Sequence, residues 1–385
     1  MDFKGTKVLL LEGYARQCLP FMRAFKKLGC DVTILCNSKL DLAYVSRYAD
    51  HKILGICDPE RYEDSERYIC DLIKNGSYDI VVPLVDFSAS ILSKNKTELS
   101  AYSKIASNDW DIYQIAADKQ RTMEVCMKNR ISCPYTLAEV NDIAEVLSSD
   151  IKYPIVVKPR IGCGAVGFKK IDSPEDLKAL FDATSENPYN YVFQEYIPQT
   201  SPVFAVNLFI DNYGALKSSF VYACNRWYPL SGGTGTFNQL VERPDMVEQC
   251  MKVVDALSLR GCIGFDVMLD PRDNVSKIIE INPRILACAR IGFLSGVNLA
   301  HQILEKEFGY DVTEYRTIYS NVSVRMSQTD ILWFIKSPNR FKVKPSWFSI
   351  KNTKDQTFYL DDPLPWFAFL FRGLKRFKKE MNKRK

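Results

Sequence analysis

Two segments of the chain carry residues whose types and spacing could bind phosphate and a metal ion. In the first, an apolar run ends at Lys158 and continues into a loop that contains Gly162, Gly164 and Gly167. Because glycine lacks a side chain, backbone amides in such a loop can approach an anion closely, and the loop suits phosphate. No GKS or GKT is present, so the loop is not a Walker P-loop. A glycine-rich hairpin loop without a ligand is the alternative.

The second segment is an apolar hairpin interrupted by carboxylate and amide side chains. Asp266 lies on one predicted strand, and Glu280 and Asn282 lie on the next, followed by Arg284. Period-two alternation places Glu280, Asn282 and Arg284 on one face if the strand extends that far. Oxygen ligands of this kind suit Mg²⁺, which takes one or two carboxylates together with substrate phosphates. A solvated strand face with a surface ion pair is the alternative.

Residue counts exclude several other kinds of site. The chain has two histidines, His51 and His301, far apart in sequence, which excludes a histidine-rich metal site. Its twelve cysteines form no CxxC pair, which favours small buried thiols in a reducing cytoplasm. The apolar run near the N-terminus is short for a signal peptide, and no apolar stretch approaches the ~20 residues of a membrane span. We therefore expect a cytoplasmic protein.

Charge is divided unevenly along the chain. The formal net charge is +5, from 51 Lys and Arg against 46 Asp and Glu. Residues 366–385 alone hold eight basic residues and one acid, which leaves 43 basic and 45 acidic residues in 1–365. A nearly neutral body does not present the basic face that nucleic-acid binding requires, so we expect no specific nucleic-acid partner.

These chemical groups must be positioned by the surrounding elements, and the first third of the chain alternates strand and helix. Apolar runs at 7–11, 31–36 and 79–83 predict strands, and helical spacing over 18–28 predicts a helix between the first two. Strands separated by helices of this length indicate parallel βαβ units. The turn at Gly13 reads GYARQC and not GxGxxG, which argues against a nicotinamide site.

The middle of the chain mixes helical spacing with β-branched and aromatic runs. The predicted helices cover about 111–129 and 246–257, and the predicted strands cover 153–158, 191–197 and 203–210. The segments 264–269 and 277–281 flank a turn at 271–274 and predict a hairpin. Beyond Gly309 no further motif is evident.

Five segments, taken in order, resemble the ATP-grasp superfamily. They are the DK pair, VVKP with its glycine-rich loop, FQEYI, the FD pair and IEINPR, at 118–119, 156–167, 193–197, 265–266 and 279–284. Within the superfamily the chain looks most like the carbamoyl-phosphate-synthase and biotin-carboxylase branch, over roughly residues 5–310. The resemblance implies an α/β and α+β fold class, in which a Rossmann-like pre-ATP-grasp domain precedes a two-subdomain ATP-grasp fold.

The resemblance also implies domain boundaries. A Rossmann-like pre-ATP-grasp domain would cover 1–112, and the small ATP-grasp subdomain with its linker helix would cover 113–190. The C-terminal subdomain with the metal site would cover 191–310, and a C-terminal extension with the basic tail would cover 311–385.

Roles for individual residues follow from the same resemblance. Lys119 and Lys158 would contact the nucleotide phosphates, with Lys158 also near the adenine edge. The loop that contains Gly162, Gly164 and Gly167 would close over the β- and γ-phosphates. The other roles are a hinge whose backbone pairs with adenine (Gln194, Glu195 and Ile197), ligands of two Mg²⁺ or Mn²⁺ ions (Asp266, Glu280 and Asn282), and cations beside the acyl phosphate or substrate (Arg284 and Arg226).

The activity that the resemblance implies is ATP-dependent ligation of a small carboxylate to an amine. The carboxylate would attack the γ-phosphate to give an acyl phosphate, from which the amine would displace phosphate. Two alternatives stay open. One is another acyl-phosphate enzyme, either carboxylase-type or with a thiol or hydroxyl acceptor, and the other is a nucleotide-binding protein without catalysis. Family members commonly hold the ribose with an acid seven or eight positions after the hinge glutamate, whereas residues 199–203 contain no acid.

The segment that begins near Pro365 predicts a basic amphipathic helix. Its apolar side would carry Trp366, Phe367, Leu370, Leu374, Phe377 and Met381. This pattern is typical of helices that lie in a membrane interface, so we expect residues 364–385 to contact an anionic membrane surface on its inner, cytoplasmic side. A helix packed on the body, a helix bound in a partner's groove and non-specific RNA binding are the alternatives.

Overall fold

The computed structural model describes residues 2–162, 164, 166–184, 186–230 and 232–383, with side chains described as far as residue 373. The first region alternates strands and helices. Its elements are β1 (Lys7–Leu10), α1 (Cys18–Lys27), β2 (Asp31–Cys36), α2 (Leu42–Val45), β3 (His51–Leu54), α3 (Tyr62–Asn75), β4 (Ile80–Val82), α4 (Asp86–Lys94), α5 (Lys96–Leu99) and β5 (Lys104–Ile105).

The five strands of this region form one parallel sheet. Their order is β3-β2-β1-β4-β5, and each neighbouring pair is parallel. Val8 and Leu10 of β1 face one core cluster, and Leu9 faces another on the opposite side. Because apolar clusters cover both faces of the sheet, consecutive residues of β1 are apolar. The predicted parallel βαβ arrangement is confirmed.

The second region forms a small antiparallel sheet. Its elements are α6 (Trp110–Ala117), α7 (Lys119–Lys128), α8 (Ile143–Leu147), β6 (Ile155–Pro159), β7 (Lys169–Ile171), α9 (Pro174–Thr184) and β8 (Tyr191–Glu195), in the strand order β7-β6-β8. The prediction of a single helix over 111–129 was wrong. Asp118 is extended between two helices and caps the second by accepting hydrogen bonds from Gln120 N and Arg121 N. Aspartate at a helix N-cap supplies an acceptor for otherwise unpaired amides, which favours a break here.

The third region forms a larger sheet whose strand order is β13-β12-β9-β10-β11-β14-β15. Its elements are β9 (Val203–Ile210), β10 (Leu216–Tyr228), β11 (Thr234–Val241), α10 (Pro244–Leu257), β12 (Gly261–Asp270), β13 (Val275–Asn282), α11 (Arg290–Leu294), α12 (Leu299–Glu307), β14 (Ser323–Arg325), α13 (Ser327–Lys336), β15 (Thr353–Asp355) and α14 (Leu364–Lys383). Neighbouring strands are antiparallel except β14 and β15. The predicted hairpin is confirmed as β12 and β13.

The sheets differ from the expected division of the chain in two places. β8 pairs with β6, so it belongs to the small sheet and not to the large one. β14 pairs with β11, so part of the expected C-terminal extension completes the large sheet. Both differences come from pairing between segments distant in sequence, which local spacing does not report.

One core cluster joins the parallel sheet to the large sheet. Phe21 of α1 packs in this cluster with Phe209 of β9, Phe220 of β10 and Ile291 of α11. The opposite face of the large sheet buries Phe204, Val206 and Leu208 against a second cluster. The apolar contact between the two sheets holds the loops that follow β1 and β4 beside the large sheet.

The beginning of α14 packs on the body of the protein. Ala368 is buried, Phe369 contacts the shared core, and Arg372 Nη1 lies 2.7 Å from Asp41 Oδ1. The predicted apolar positions Leu374, Phe377 and Met381 lie outside the described side chains. Within the described residues, no helix combines the length and apolar character needed to cross a membrane.

Candidate functional site

Two carboxylates face each other across β12 and β13. Asp266 is the register partner of Glu280, and Gly264 is the register partner of Asn282. Like charges in directly opposed positions repel. Burial, together with the charge of Glu280, raises the pKa of Asp266 to about 7. A cation placed at this pair would relieve the repulsion.

Lys119 supplies one positive charge to this pair. Its Nζ lies 3.2 Å from Glu280 Oε1 and donates to the carbonyl of Gly162 at 2.7 Å. The lysine is the first residue of α7, and the Asp118 cap sets where that helix begins. Lys119 therefore connects the carboxylate pair, through Glu280, to the start of the glycine-rich loop.

Lys158 approaches the same pair from β6. The register of β12 and β13 shifts after Asp266, because Val267 pairs with Ile278 and leaves Ile279 as an extra residue. The Ile279 carbonyl accepts a hydrogen bond from Lys158 Nζ at 3.1 Å. Burial lowers the pKa of Lys158 to about 8, although the nearby Glu280 favours its charged form. An enclosed ammonium beside a bulge is well placed to receive an anionic ligand.

A second ion-pair network, to which sequence reasoning assigned no role, positions Lys119. Arg160 binds Asp118 through Nη2 at 2.8 Å and Glu139 through Nη1 at 3.0 Å, and its guanidinium stacks over Tyr189. The Lys119 amide also donates to the Arg160 carbonyl at 3.0 Å. The one feature of the sequence that indicates this network is Asp118, which directly precedes α7.

Arg284 joins the end of β13 to the parallel sheet. Its Nη2 lies 2.6 Å from Asp86 Oδ2 and 2.9 Å from Asn282 Oδ1, and its Nε lies 2.7 Å from Asp86 Oδ1. Asp86 is the first residue of α4 and follows β4 after residues 83–85, and sequence reasoning gave it no role. The contact with Asn282 places Arg284 next to the carboxylate pair. The expected role of Arg284 beside the acyl phosphate stays a prediction.

Arg226 does not join this group, and its expected role facing phosphate or substrate was wrong. Its side chain is fully buried and binds Asp330 through Nε at 2.8 Å and Nη2 at 3.0 Å. The guanidinium also stacks over Phe237 and Trp333. Because these contacts and burial leave the guanidinium without solvent access, it serves to hold α13 against β10.

The glycine-rich loop adopts a backbone that requires glycine. Gly162, Gly164 and Gly167 have φ angles of 144°, 67° and 76°, in the range that other residues rarely adopt. A Cβ at Gly162 or Gly164 would contact nothing within 4 Å, whereas one at Gly167 would lie 2.7 Å from Pro159 Cγ. Cys163 lies outside the described residues. Open space around the first two glycines is compatible with the predicted closure over phosphates.

The predicted hinge is anchored to both sheets. Gln194 Nε2 donates to Thr136 Oγ1 at 2.8 Å, and Ile197 is buried. Glu195 binds Arg272, in the turn of the β12–β13 hairpin, at 2.7 Å and Lys277, on β13, at 3.2 Å. The side chain of Glu195 is therefore occupied by the hairpin, and pairing of the backbone with adenine stays a prediction.

The residues present fit a magnesium ion. Within the described part of the chain, no group of three or more His, Cys, Asp or Glu side chains could hold a metal. The available oxygens belong to two carboxylates and one amide, at Asp266, Glu280 and Asn282. Mg²⁺ often takes one or two carboxylates and completes its shell with substrate phosphates and water. The donor set is therefore suited to an ion that arrives with a nucleotide.

Comparison with known proteins gives one family model and several relatives. The family model, described as an ATP-grasp domain, matches residues 116–288. A D-aspartate ligase from Enterococcus faecium is 25% identical over 266 residues, which cover 64% of this chain and 60% of that protein. The chain thus spans less than two thirds of that relative.

Solved structures with the same fold include two enzymes of different activity. A biotin carboxylase from Campylobacter jejuni has a TM-score of 0.68 at 18% identity, covering 81% of this chain and 73% of that chain. An L-amino acid ligase from Bacillus licheniformis has a TM-score of 0.61 at 18% identity, covering 79% of this chain and 75% of that chain. At this identity the likeness concerns the fold alone.

Proposed function

We propose that this protein is an ATP- and Mg²⁺-dependent carboxylate–amine ligase, and the match of the ATP-grasp domain model to residues 116–288 supports this proposal. The substrates would be a small carboxylate and an amine, and the products an amide, ADP and phosphate. The observation that carries the proposal is the convergence of Lys119 and Lys158 on the carboxylate pair of Asp266 and Glu280.

The reaction needs positioned charge and no side-chain nucleophile. A carboxylate oxygen attacks the γ-phosphorus, the bond from that phosphorus to ADP breaks, and an acyl phosphate forms. The amine nitrogen then attacks the acyl carbon, phosphate leaves, and the nitrogen loses one proton. Lys119 and Lys158 neutralise the phosphate oxygens during transfer, and positioning with electrostatic stabilisation accounts for most catalysis of this kind.

The metal-binding part of the proposal assigns Asp266, Glu280 and Asn282 to two Mg²⁺ ions. When bound there, Mg²⁺ would neutralise charge on the phosphates. The glycine-rich loop at 162–167 would close over the β- and γ-phosphates, and the backbone of 194–197 would pair with adenine. Arg284, held by Asp86, would orient the carboxylate that is activated.

The relatives direct the choice of first substrates. The name D-aspartate ligase and the description L-amino acid ligase both refer to amino acids, so amino acids are the first carboxylates to test. The solved biotin carboxylase domain of a Hydrogenobacter thermophilus 2-oxoglutarate carboxylase, which has the same fold, contains bicarbonate, so bicarbonate is a second candidate carboxylate. A screen of phosphate release should therefore cross D-aspartate, L-amino acids and bicarbonate with ammonia and amino acids as acceptors.

Substitution of one metal carboxylate tests the proposal. Glu280→Gln removes a charge from the site, and the loss of one preorganised electrostatic group commonly lowers kcat about 100- to 1000-fold. We expect substrate-dependent ADP release to fall by at least this factor while thermal unfolding stays cooperative. The matched control is Glu248→Gln, an exposed glutamate on α10 paired with Lys252, which should keep full activity. Near-normal turnover by Glu280→Gln would overturn the assignment, and nucleotide binding without turnover of any substrate pair would favour a non-catalytic protein.

The location of the protein is a separate proposal. Leu364, Phe367 and Phe371 of α14 are 58%, 45% and 55% exposed, and their spacing places them on one helix face. These side chains, followed by the basic residues of 375–385, support reversible contact with an anionic membrane surface from the cytoplasmic side. Arg372 is excluded from this role because it pairs with Asp41.

A further inference from the structure

The parallel sheet has a position where ligands commonly bind. β1 has β2 on one side and β4 on the other, so the strand order reverses between β1 and β4. In open α/β sheets, ligands bind outside the carboxyl ends of the strands at such a reversal. The segments that follow these two strands are residues 11–17 and 83–86. Asp86, in the second segment, binds Arg284 and so borders the phosphate site.

The two segments are tied together at their base. The Glu12 carboxylate accepts hydrogen bonds from the amides of Leu84, Val85 and Ser88 at 3.0–3.2 Å. Gln17 Nε2 donates to the Leu84 carbonyl across the same gap. This bonding fixes the segment that carries Arg16, which lies between Glu12 and Gln17.

Arg16 is a half-buried cation without an anionic partner among the residues that the structure describes. Its side chain is half-buried near Cys288, Tyr222 and Cys224, and burial lowers the pKa of its guanidinium. Among the residues that the structure describes, no carboxylate and no hydrogen-bond acceptor pairs with it. A partly desolvated cation without a carboxylate partner is less stable than a paired one, so a site of this kind favours binding of an anion.

Other enclosed arginines of the chain show the contrast. Arg160, Arg226 and Arg284 each hold a carboxylate at 2.6–2.8 Å. Arg290 instead donates to the carbonyls of Asp355 and Phe358 and stacks on Tyr359. Each of these four guanidinium groups therefore has a carboxylate or carbonyl partner. Arg16 differs from them, because no such partner is found for it among the described residues.

The register of the large sheet relates Arg16 to the carboxylate pair. Tyr222 pairs with Ala205, Ala205 pairs with Asp266, and Asp266 pairs with Glu280, so the four residues lie in one row on one face. The charges of Asp266 and Arg16 both affect the pKa of Tyr222, so the three side chains lie near one another. Neighbouring strands are about 4.8 Å apart, so Tyr222 is roughly 10 Å from Asp266 along this row. A small substrate spans such a distance.

We propose that Arg16, with the Tyr222 hydroxyl, binds an oxyanion of the substrate that is separate from the carboxylate undergoing activation. The substrate is then a dianion that carries a second carboxylate or a phosphate. This inference rests on the proposed function, because the first carboxylate is placed beside Arg284 and the metal ligands. Arg16 determines specificity and takes no part in phosphoryl transfer.

Binding measurements test this role directly. The protein is loaded with Mg²⁺ and a non-hydrolysable ATP analogue, and D-aspartate, L-aspartate, succinate, D-alanine and inorganic phosphate are titrated calorimetrically. Wild-type protein should bind at least one dianionic probe, and Arg16→Ala should weaken that binding roughly 10- to 100-fold, the range for a lost charge-assisted hydrogen bond. Arg16→Lys should retain part of the affinity. The carboxylate and phosphate probes distinguish the two kinds of anion.

Controls separate this role from a structural one and from the proposed function. Arg121→Ala, at an exposed arginine on α7, should bind every probe as wild type does. The melting temperature of Arg16→Ala should equal or exceed that of wild type, since an uncompensated cation is removed. Equal probe affinity in Arg16→Ala, absence of anion binding to wild type, or a lowered melting temperature would overturn the inference. If the ATP analogue does not bind, the anion titrations are run without it. If the protein releases no ADP with any substrate pair but still binds an anion in a manner that depends on Arg16, the ligase function alone is rejected.

Discussion

At the scale of single residues, the candidate site depends on how a few charges are compensated. Asp266 and Glu280 repel each other, Lys119 offsets part of their charge, and Lys158 is enclosed with the Ile279 carbonyl as its hydrogen-bond partner. This arrangement is compatible with the proposed ligand, which would bring both anionic phosphates and a divalent cation. Each lysine would gain a phosphate partner on nucleotide binding.

Removal of the Lys158 charge should affect nucleotide binding more than folding. In Lys158→Met we expect affinity for Mg·ADP to fall roughly 10- to 100-fold, as for the loss of a charge-assisted hydrogen bond. The melting temperature should stay constant or rise, because an enclosed ammonium is replaced by an apolar side chain of similar length. Calorimetric titration and thermal unfolding measure the two effects.

The control for this substitution is Lys306→Met. Lys306 is 8% exposed and pairs with Glu307 on α12, a helix that carries none of the proposed nucleotide-binding residues. Its replacement should leave the affinity for Mg·ADP unchanged. Unchanged nucleotide affinity in Lys158→Met would remove that lysine from the site.

At the scale of elements, a buried ion pair connects α13 to the large sheet. Arg226 of β10 binds Asp330 of α13, and Thr236 of β11 also donates to Asp330 at 2.8 Å. Arg325 of β14 lies 3.2 Å from the same carboxylate. Three strands and one helix therefore share one buried anion, which fixes how the C-terminal segment docks.

Loss of Arg226 should lower stability and leave the affinity for Mg·ADP intact. Arg226→Met leaves Asp330 without its bidentate partner, and breaking a buried pair in this way costs about 3–5 kcal/mol. The double variant Arg226→Met with Asp330→Leu should recover part of this loss, since both charges of the pair are removed while Arg325 loses its carboxylate. Urea unfolding measures the stabilities, and calorimetric titration measures the affinity. A stable single variant that no longer binds Mg·ADP would restore the phosphate-side role expected from sequence.

At the scale of the whole molecule, the parallel sheet and the large sheet pack together beside the candidate site. The shared apolar core joins the parallel sheet to the large sheet, and Arg284 connects the same two parts through Asp86. At the other end of the chain, α14 packs on α2 through its early residues and exposes Leu364, Phe367 and Phe371. The helix thus has one packed side and one available apolar side.

The exposed side of α14 provides the test of membrane contact. Wild-type protein should co-sediment with vesicles that contain phosphatidylserine, and less so with neutral vesicles or at high salt. Phe367→Ser with Phe371→Ser should reduce binding roughly tenfold, since buried apolar area is lost. Phe341→Ser with Phe348→Ser is the matched control at side chains that are 71% and 62% exposed. Failure of wild-type protein to bind anionic vesicles would refute the contact.

The sequence alone was sufficient for the fold class and for most groups of the candidate site. Strand periodicity and the order of short motifs are local properties, so β1, β2, β9 and the β12–β13 hairpin could be predicted. Alternation along one predicted strand grouped Glu280, Asn282 and Arg284, and the family resemblance added Asp266 on the neighbouring strand. Lys119 and Lys158 were recognised because their motifs resemble those of a known family.

The tertiary structure decided which charges are available to a ligand. Arg226 is separated from Asp330 by 104 residues, and Arg284 from Asp86 by 198, so neither pair has a local signal. Only the packed structure removes Arg226 from the site and leaves Arg16 half-buried without an anionic partner in the described part of the chain. The physical reason is that compensation of a buried charge depends on groups brought together by packing, and spacing along the chain does not determine which groups those are.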